Sequence, residues 1–410
     1  MTETMPECLK AIYEETHRFQ HPTLGNLRLQ PSSLPPSNLD VLQQAWAAHV
    51  SEARRRIPGL HVEAGGEVVY LGALSPGCQA CKEGTWDCLF VTMRCNLDCA
   101  FCYSPHAIPR DYAGSVFGET PEQIAANHAR TRITGVSFSG GEPFVEVQRL
   151  FDWVAWFKAR YPDRYYWVYT NGLLASAEHL RRLGELGVDE VRFNTAATGY
   201  DCPQVVRNMA AAARLIPNVT IEIPAIPEHA ARLLSCLADW CALGVRFLNL
   251  HELMYEPGTN SAAMPGPRQD VVTADGHRSA VHPRSRALTL AVMERVQEKG
   301  LPLAVNDCSL QSKLRQVRGR RRNLAPLVSA PYEKLIADQA YESCCAYLRR
   351  SRLQAVRPPD TAGQEVHFFH PDALEAMRQR YPGHAFVRLV RTAPLSLQDR
   401  GRWIVFEKLA

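Results

Sequence analysis

Three cysteines, Cys95, Cys99 and Cys102, fall in the stretch RCNLDCAFCYSP (94–105) with the spacing C-x3-C-x2-C. A tetrahedral zinc site takes four protein ligands, and no fourth cysteine stands nearby. Three thiolates on one short loop suit three irons of a [4Fe–4S] cluster and leave the fourth iron open. An open iron is a place for a substrate or cofactor to bind.

Other residues with chemical capacity recur at similar places. SFSGGEPF (137–144) ends in Gly140-Gly141-Glu142-Pro143, where two glycines let the backbone approach a ligand and a carboxylate suits a cationic amino group. Thr170, Asn171 and Gly172 close a later apolar run, and Arg192 and Asn194 close the next. Glu222, Asn249, His251 and Glu252 stand on two further runs, where strand alternation puts Asn249 and His251 on one face. Satisfied core polar groups are the plainer explanation for these four.

These residues need elements to hold them. Short β-prone runs occur at 88–93, 135–140, 165–172, 189–195, 219–226 and 245–253, with helical patterns such as 149–160, 177–187 and 230–244 between them. Alternating strands and helices predict an α/β fold with a parallel sheet and right-handed crossovers, here a partial (β/α)6 barrel of the TIM type. Chemistry in such barrels gathers at the C-terminal strand ends, and each motif above follows a strand run. LDVLQQAWAAHVSEARRR (39–56) reads as a helix ended by Pro58 and Gly59, after a Pro-rich linker at 30–38. The expected organisation is a helical extension with a C-x2-C segment over 1–86 and the barrel core over 87–256. A lid loop, a last helix and strand and a basic, cysteine-containing region follow over 257–355, then a small α+β appendage over 356–410.

Composition narrows the class. Of 410 residues, 46% are hydrophobic and 21% charged, as in ordinary globular proteins. No apolar run is long enough to span a membrane, and the N-terminus lacks a signal-peptide pattern, so a cytoplasmic protein without a membrane partner is expected. In that compartment thirteen cysteines point to metal binding or catalysis rather than a disulfide framework. The net charge of +4 is too small to imply a nucleic-acid partner. KLRQVRGRRRN (313–323) reads as a solvated helix face, with an anion site as the alternative, and no aromatic residues interleave it for stacking on bases.

The cysteine spacing directly after the first strand, followed by GGEP at the second, resembles the radical S-adenosylmethionine (SAM) superfamily. The resemblance implies a [4Fe–4S] cluster on Cys95, Cys99 and Cys102 whose open iron chelates the methionine end of SAM, and reductive cleavage to a 5′-deoxyadenosyl radical that abstracts hydrogen. It implies that Phe101 packs on adenine, that Gly140, Gly141, Glu142 and Pro143 hold the SAM amino group, and that Thr170 and Asn171 stand in the usual T-N-G. Asn194 is carried over to the ribose or carboxylate, although the family's usual serine is absent there. Asn249 and His251 are added as cofactor-side candidates. The implied partners are a small-molecule or peptide substrate and an electron donor such as flavodoxin or ferredoxin.

Upstream, SPGCQACKEGTWDC (75–88) carries Cys78 and Cys81 as C-x2-C, a common half-site for zinc or iron–sulfur clusters, and Cys88 enters the first strand. With Cys308 in VNDCS (305–309), this segment resembles a group of archaeal radical SAM proteins loosely labelled pyruvate formate-lyase activating enzyme-like, over roughly residues 77 to 325. We expect a second metal site from Cys78, Cys81, Cys308 and one of Cys344 or Cys345, holding an auxiliary [4Fe–4S] cluster, with zinc as the competing occupant. Buried reduced cysteines acting as small hydrophobes are the alternative, and Cys202, Cys236 and Cys241 are assigned to it. Within enzymes the alternative is a cobalamin-dependent methyltransferase, against which no D-x-H-x-x-G stands in the chain. Outside enzymes it is an iron–sulfur protein for electron transfer or RNA binding, whose clusters normally have four cysteines.

Overall fold

The computed structural model describes residues 37–103, 108–115, 118–273, 278–336, 340–348, 365–384, 386–397 and 403–409. Residues 30–36 of the expected linker lie outside them. The described chain divides into a larger unit, Asn38–Val272 with Arg278–Arg320, and a smaller one that includes Arg321–Ala410.

The larger unit opens with the expected helix, Leu39–Arg56, which buries Trp46, Val50 and Ala53 on one face. Two strands follow where the sequence suggests only accessory helix: β1 (Leu60–Glu63) and β2 (Val68–Leu71), paired antiparallel. Gly65 and Gly66, with φ of 64° and 90°, let the chain reverse between them. A short helix, Pro76–Glu83, is started by Ser75, whose Oγ accepts from the Cys78 amide, and ended by Gly84 at φ 70°.

Then come β3 (Trp86–Thr92), the two-residue β4 (Gly114–Ser115), β5 (Gly135–Gly140), β6 (Tyr165–Thr170), β7 (Glu190–Phe193), β8 (Asn218–Ala225) and β9 (Phe247–Glu252). The segment read as a lid forms a small antiparallel sheet of β10 (Met254–Tyr255), β11 (Gln269–Val272) and β12 (Arg278–Val281). The helix Ser285–Glu298 leads into β13 (Ala304–Cys308). In the main sheet the order is β1-β2-β13-β9-β8-β7-β6-β5-β3-β4. All six expected strands are present and parallel, and β13 extends the parallel run by one, alongside β9. The sheet is open, with β1 and β4 at its edges.

The strands alternate two chemistries. Leu89, Val91, Val136, Phe138, Val168, Val191, Phe193, Ile221, Leu248, Leu250 and Val305 are fully buried and pack with helix residues such as Leu150, Val154, Phe157, Leu183, Met209 and Leu237. The alternate residues of the same strands include Tyr169, Glu190, Arg192, Glu222, Asn249, His251, Asn306 and Cys308. One face therefore anchors the helices, and the other is polar.

The basic run proves to be structural in its first part. On the helix Leu310–Val328, Arg315 and Arg318 pair with Glu67, and Arg320 pairs with Asp87 and Glu119. Burial would raise the Asp87 carboxyl, but Arg320 and His128 more than offset it and hold it below its usual value. Because Arg320 meets two buried carboxylates and Arg315 and Arg318 share the half-buried Glu67, this part is not a solvated face. In the smaller unit β14 (Lys334–Ile336), β15 (Ala340–Leu348), β16 (Glu365–Phe369), β17 (Phe386–Thr392) and β18 (Trp403–Leu409) form an antiparallel sheet with a helix, Leu374–Arg380. No helix among the described residues is long and apolar enough to cross a membrane.

Candidate cluster and cofactor site

The cysteine loop leaves the C-terminal end of β3 and is pinned from below. The Thr92 carbonyl accepts from Gly141 N at 2.8 Å, and the Arg94 carbonyl from Glu142 N at 2.9 Å. A Cβ on Gly140 would lie 2.1 Å from Thr92 O, and one on Gly141 2.3 Å from Arg94 O, so only glycine lets the end of β5 reach the loop. The loop closes on itself through Cys102 N donating to Cys99 O at 2.9 Å.

Glu142 is fully buried. Its carboxylate accepts from Thr170 Oγ1 at 2.9 Å, Asn171 N at 2.7 Å and Phe144 N at 3.2 Å. It therefore ties the end of β5 to the end of β6 instead of facing an open cleft, and burial pushes its pKa up to about 7 against those three donors. Asn171 continues the chain of contacts: Nδ2 donates to Asn96 Oδ1 at 2.7 Å and lies 4.0 Å from Cys95 Sγ. The T-N-G and GGEP motifs thus meet each other and the cysteine loop. Pro143 is buried at the start of the turn that follows.

The loop thiols suit metal binding. Cys95 and Cys102 are exposed and Cys99 half-buried, and all three are reduced. Burial, then the neighbouring Cys102 and Cys95, push the Cys99 thiol up to about 11, so metal binding must displace protons. Among the described residues no three His, Cys, Asp or Glu side chains stand ready around a common metal position, and this holds equally for the loop and for the interior thiols.

A cavity of about 420 Å³ opens beside the loop, lined by Cys99, Phe101, Ala197, Ile226, His229 and Met264, among others. Phe101 is fixed there by packing against Ile226, Tyr255 and Met264, and its carbonyl accepts from Asn260 Nδ2 at 3.1 Å. Asn194 instead spends Oδ1 on Ala197 N, capping the turn after β7. A larger cavity of about 800 Å³, lined by Asn218, Arg246, Phe247 and Ala304, lies at the opposite strand ends, away from these motifs.

The polar face carries a connected network. Glu222 accepts from Arg192 Nη1 at 2.7 Å, Asn249 Nδ2 at 3.0 Å and His251 Nε2 at 2.5 Å. Arg192 also binds Glu190 at 2.8 Å and Ser75 at 3.2 Å. Burial acts to raise Glu222, but Arg192 and then His251 hold it well below the usual carboxylate range. Asn249 and His251 do share a face, and both are committed to Glu222.

The C-x2-C helix meets this network. Cys78 Sγ lies 3.3 Å from Asn249 Oδ1 and 3.8 Å from Asn306 Nδ2. Asn306 Oδ1 is buried and without a partner. Cys308, next but one on β13, is in register with His251, and burial raises the Cys81 thiol, with smaller upward contributions from Cys78 and Cys308. Cys344 and Cys345 stand on β15 of the smaller unit, where Cys344 packs with Phe369, Met377 and Phe386. The motif reading missed Arg192 as a hub, Glu190, and Asn306. Their signal is a polar residue at every second position of strands, alternating with apolar residues such as Val191, Phe193 and Val305.

Comparison with known proteins finds likenesses over parts of the chain. A model of a 4Fe-4S single cluster domain matches residues 82–184. A Methanocaldococcus jannaschii protein named for glycyl-radical enzyme activation is 28% identical over 65% of this chain and 71% of its own length. A Methanocella arvoryzae protein named as a GTP 3′,8-cyclase is 37% identical over 27% of this chain, which spans 34% of that relative. Among solved structures, Streptococcus suis SuiB bound to the precursor peptide SuiA shares 11% identity over 73% of this chain and 60% of that one, with a TM-score of 0.40. The cysteine loop, GGEP and T-N-G all fall within the matched segment 82–184, and this likeness supports the resemblance to the radical SAM superfamily.

Proposed function

We propose that this protein is a radical SAM enzyme that abstracts hydrogen from a peptide or protein substrate, with a second iron–sulfur cluster held by interior thiols. The observation that carries the first part is the docking of the Cys95–Cys102 loop on Gly140 and Gly141, braced by Glu142 and Asn171. Cys95, Cys99 and Cys102 hold the first cluster, and together with SAM that cluster supplies methionine and a 5′-deoxyadenosyl radical. Phe101, locked by Asn260, offers its ring to adenine from the wall of the neighbouring cavity. The backbone of Gly140–Pro143 presents polar groups to the methionine end, while the enclosed Glu142 keeps that backbone in place. A reductant such as flavodoxin or ferredoxin delivers the electron. The name of the M. jannaschii relative supports a substrate glycine carried by a protein.

For the second cluster we assign Cys78, Cys81 and Cys308: Cys78 lies beside Asn249 and Asn306, whose buried Oδ1 is unpartnered, and Cys308 ends the strand that carries Asn306. Metal analysis separates the occupants: about eight irons per chain fits two [4Fe–4S] clusters, about four with one zinc the mixed alternative. Cys78→Ala/Cys81→Ala should remove about four irons or the zinc, and an unchanged metal content would refute the second site.

The enzyme assignment is tested by anaerobic incubation of reconstituted protein with SAM and dithionite. Methionine and 5′-deoxyadenosine should accumulate with the wild type and fall to background in Cys95→Ala. Equal, background product from both would sink the reading.

A further inference from the structure

Two lysines stand on the two helices next to the candidate cluster thiols. Lys82, only 6% exposed, follows Cys81 on the helix Pro76–Glu83 and donates to Ser312 Oγ at 2.7 Å. Lys313, in the first turns of the helix Leu310–Val328, contacts Met254 Sδ at 3.4 Å and lies 4.7 Å from the centre of the Tyr103 ring. The buried guanidiniums of Arg192, Arg286 and Arg320 each meet a carboxylate. Among the described residues neither Lys82 nor Lys313 has one within 4.0 Å. A buried charge without a counter-ion, as at Lys82, is strongly disfavoured, so the region around Lys82 and the half-buried Lys313 suits negative charge.

Three further features mark where that charge belongs. Both lysines stand beside the segments that carry these thiols: Lys82 follows Cys81 directly and reaches Ser312, and Ser312 and Lys313 lie on the helix that begins just after Cys308. Cys308 also stands just before the helix Leu310–Val328, whose N-terminal dipole favours an anion. The acidic groups nearby are already engaged. Glu222 is held by Arg192 and His251, and Glu252 accepts from Leu310 N at 2.8 Å.

We propose that Lys82 and Lys313 are the counter-charge for an anionic iron–sulfur cluster on Cys78, Cys81 and Cys308, and that they raise its reduction potential. The proposal rests on the second-cluster reading above. Thiolate-ligated clusters carry net negative charge, and reduction adds one more, so a nearby ammonium favours the reduced form over the oxidised one. An interior cluster tuned this way is suited to accept an electron from a substrate radical.

The test uses full-length protein carrying Cys95→Ala, Cys99→Ala and Cys102→Ala, so that the interior cluster is observed alone. After anaerobic reconstitution, iron is counted and the midpoint potential is read by redox titration with electron paramagnetic resonance. We expect about four irons, and in Lys82→Met or Lys313→Met a lower midpoint, equivalent to about a tenfold loss of reduced cluster at fixed potential, about 59 mV for one electron. Lys82→Arg and Lys313→Arg should keep the original midpoint. Loss of iron in the methionine variants with recovery in the arginine variants would also support a counter-charge. Loss in both kinds, or an unchanged midpoint with iron retained, overturns the proposal. A background protein that binds no iron defeats the second-cluster reading itself. If that protein instead binds inorganic phosphate, and Lys82→Met abolishes binding, the interior anion is a ligand and the proposal is overturned.

Discussion

Glu142 illustrates what single residues reveal and conceal. The GGEP motif was legible because glycines and an acid follow a strand at a known place. The direction of the carboxylate was not, because its three donors come from Thr170, Asn171 and Phe144, two of them distant in sequence. Its pKa near 7 has a consequence of definite sign. Between pH 4.5, its ordinary value, and about 7 the folded protein holds a proton that the unfolded chain has lost. Its contribution to stability is therefore greatest below pH 4.5 and is lost as pH rises towards 7, by at most about 1.4 kcal/mol per unit. Urea denaturation of wild type and Glu142→Gln should show this: the stability difference between them should drift with pH between 5 and 7. Parallel profiles would count against a buried, titrating Glu142. At pH 8 the glutamine cannot accept from all three donors, and SAM cleavage should fall about tenfold, the effect of one lost charged hydrogen bond.

At the scale of elements, the strand rhythm is readable because the outward face is largely apolar and the spacing regular. β1 and β2 escaped because they are four residues each and follow a helix directly. The role of Arg315, Arg318 and Arg320 escaped because a charge run does not name its partners, Glu67, Asp87 and Glu119, which lie more than 190 residues upstream. Residue type alone groups Cys344 with the metal candidates, and the structure shows its packing in the apolar cluster of the smaller sheet, which no sequence pattern announces. The junction of β5 with the cysteine loop is the element contact that matters most. In Gly141→Ala the new methyl would meet Arg94 O at 2.3 Å and Met93 O at 2.7 Å, both backbone atoms that can yield only by moving the loop. Such overpacking costs roughly 1–3 kcal/mol. The variant should remain folded by circular dichroism but lose most of its first-cluster iron and its 5′-deoxyadenosine production. Wild-type iron content in Gly141→Ala would show that the loop is not held by this contact.

For the larger unit as a whole, the polar face of the sheet is the organising feature, and it ties function to acid stability. Arg192 bridges Glu190 and Glu222, and Glu222 in turn takes Asn249 and His251, so β7, β8 and β9 share one buried ion network. Burial, together with Lys313, lowers the His251 pKa below 6.5, although Glu222 pulls the other way, and Glu222 is held below 4.5. Both shifts have the same sign: the unfolded chain takes up protons that the folded unit refuses. Stability is therefore present above pH 6.5 and is lost as pH falls, first through His251 and then, below 4.5, through Glu222. Arg192→Met leaves two buried carboxylates without their cation, which costs roughly 3–5 kcal/mol at pH 7. It also removes the reason Glu222 stays ionised, so protonation then relieves strain instead of creating it. In urea denaturation the gap between wild type and Arg192→Met should be widest at pH 7 and narrow steadily towards pH 4. A gap that stays constant over that range would mean that Arg192 acts through packing alone, and that the network does not set the acid limit of the fold.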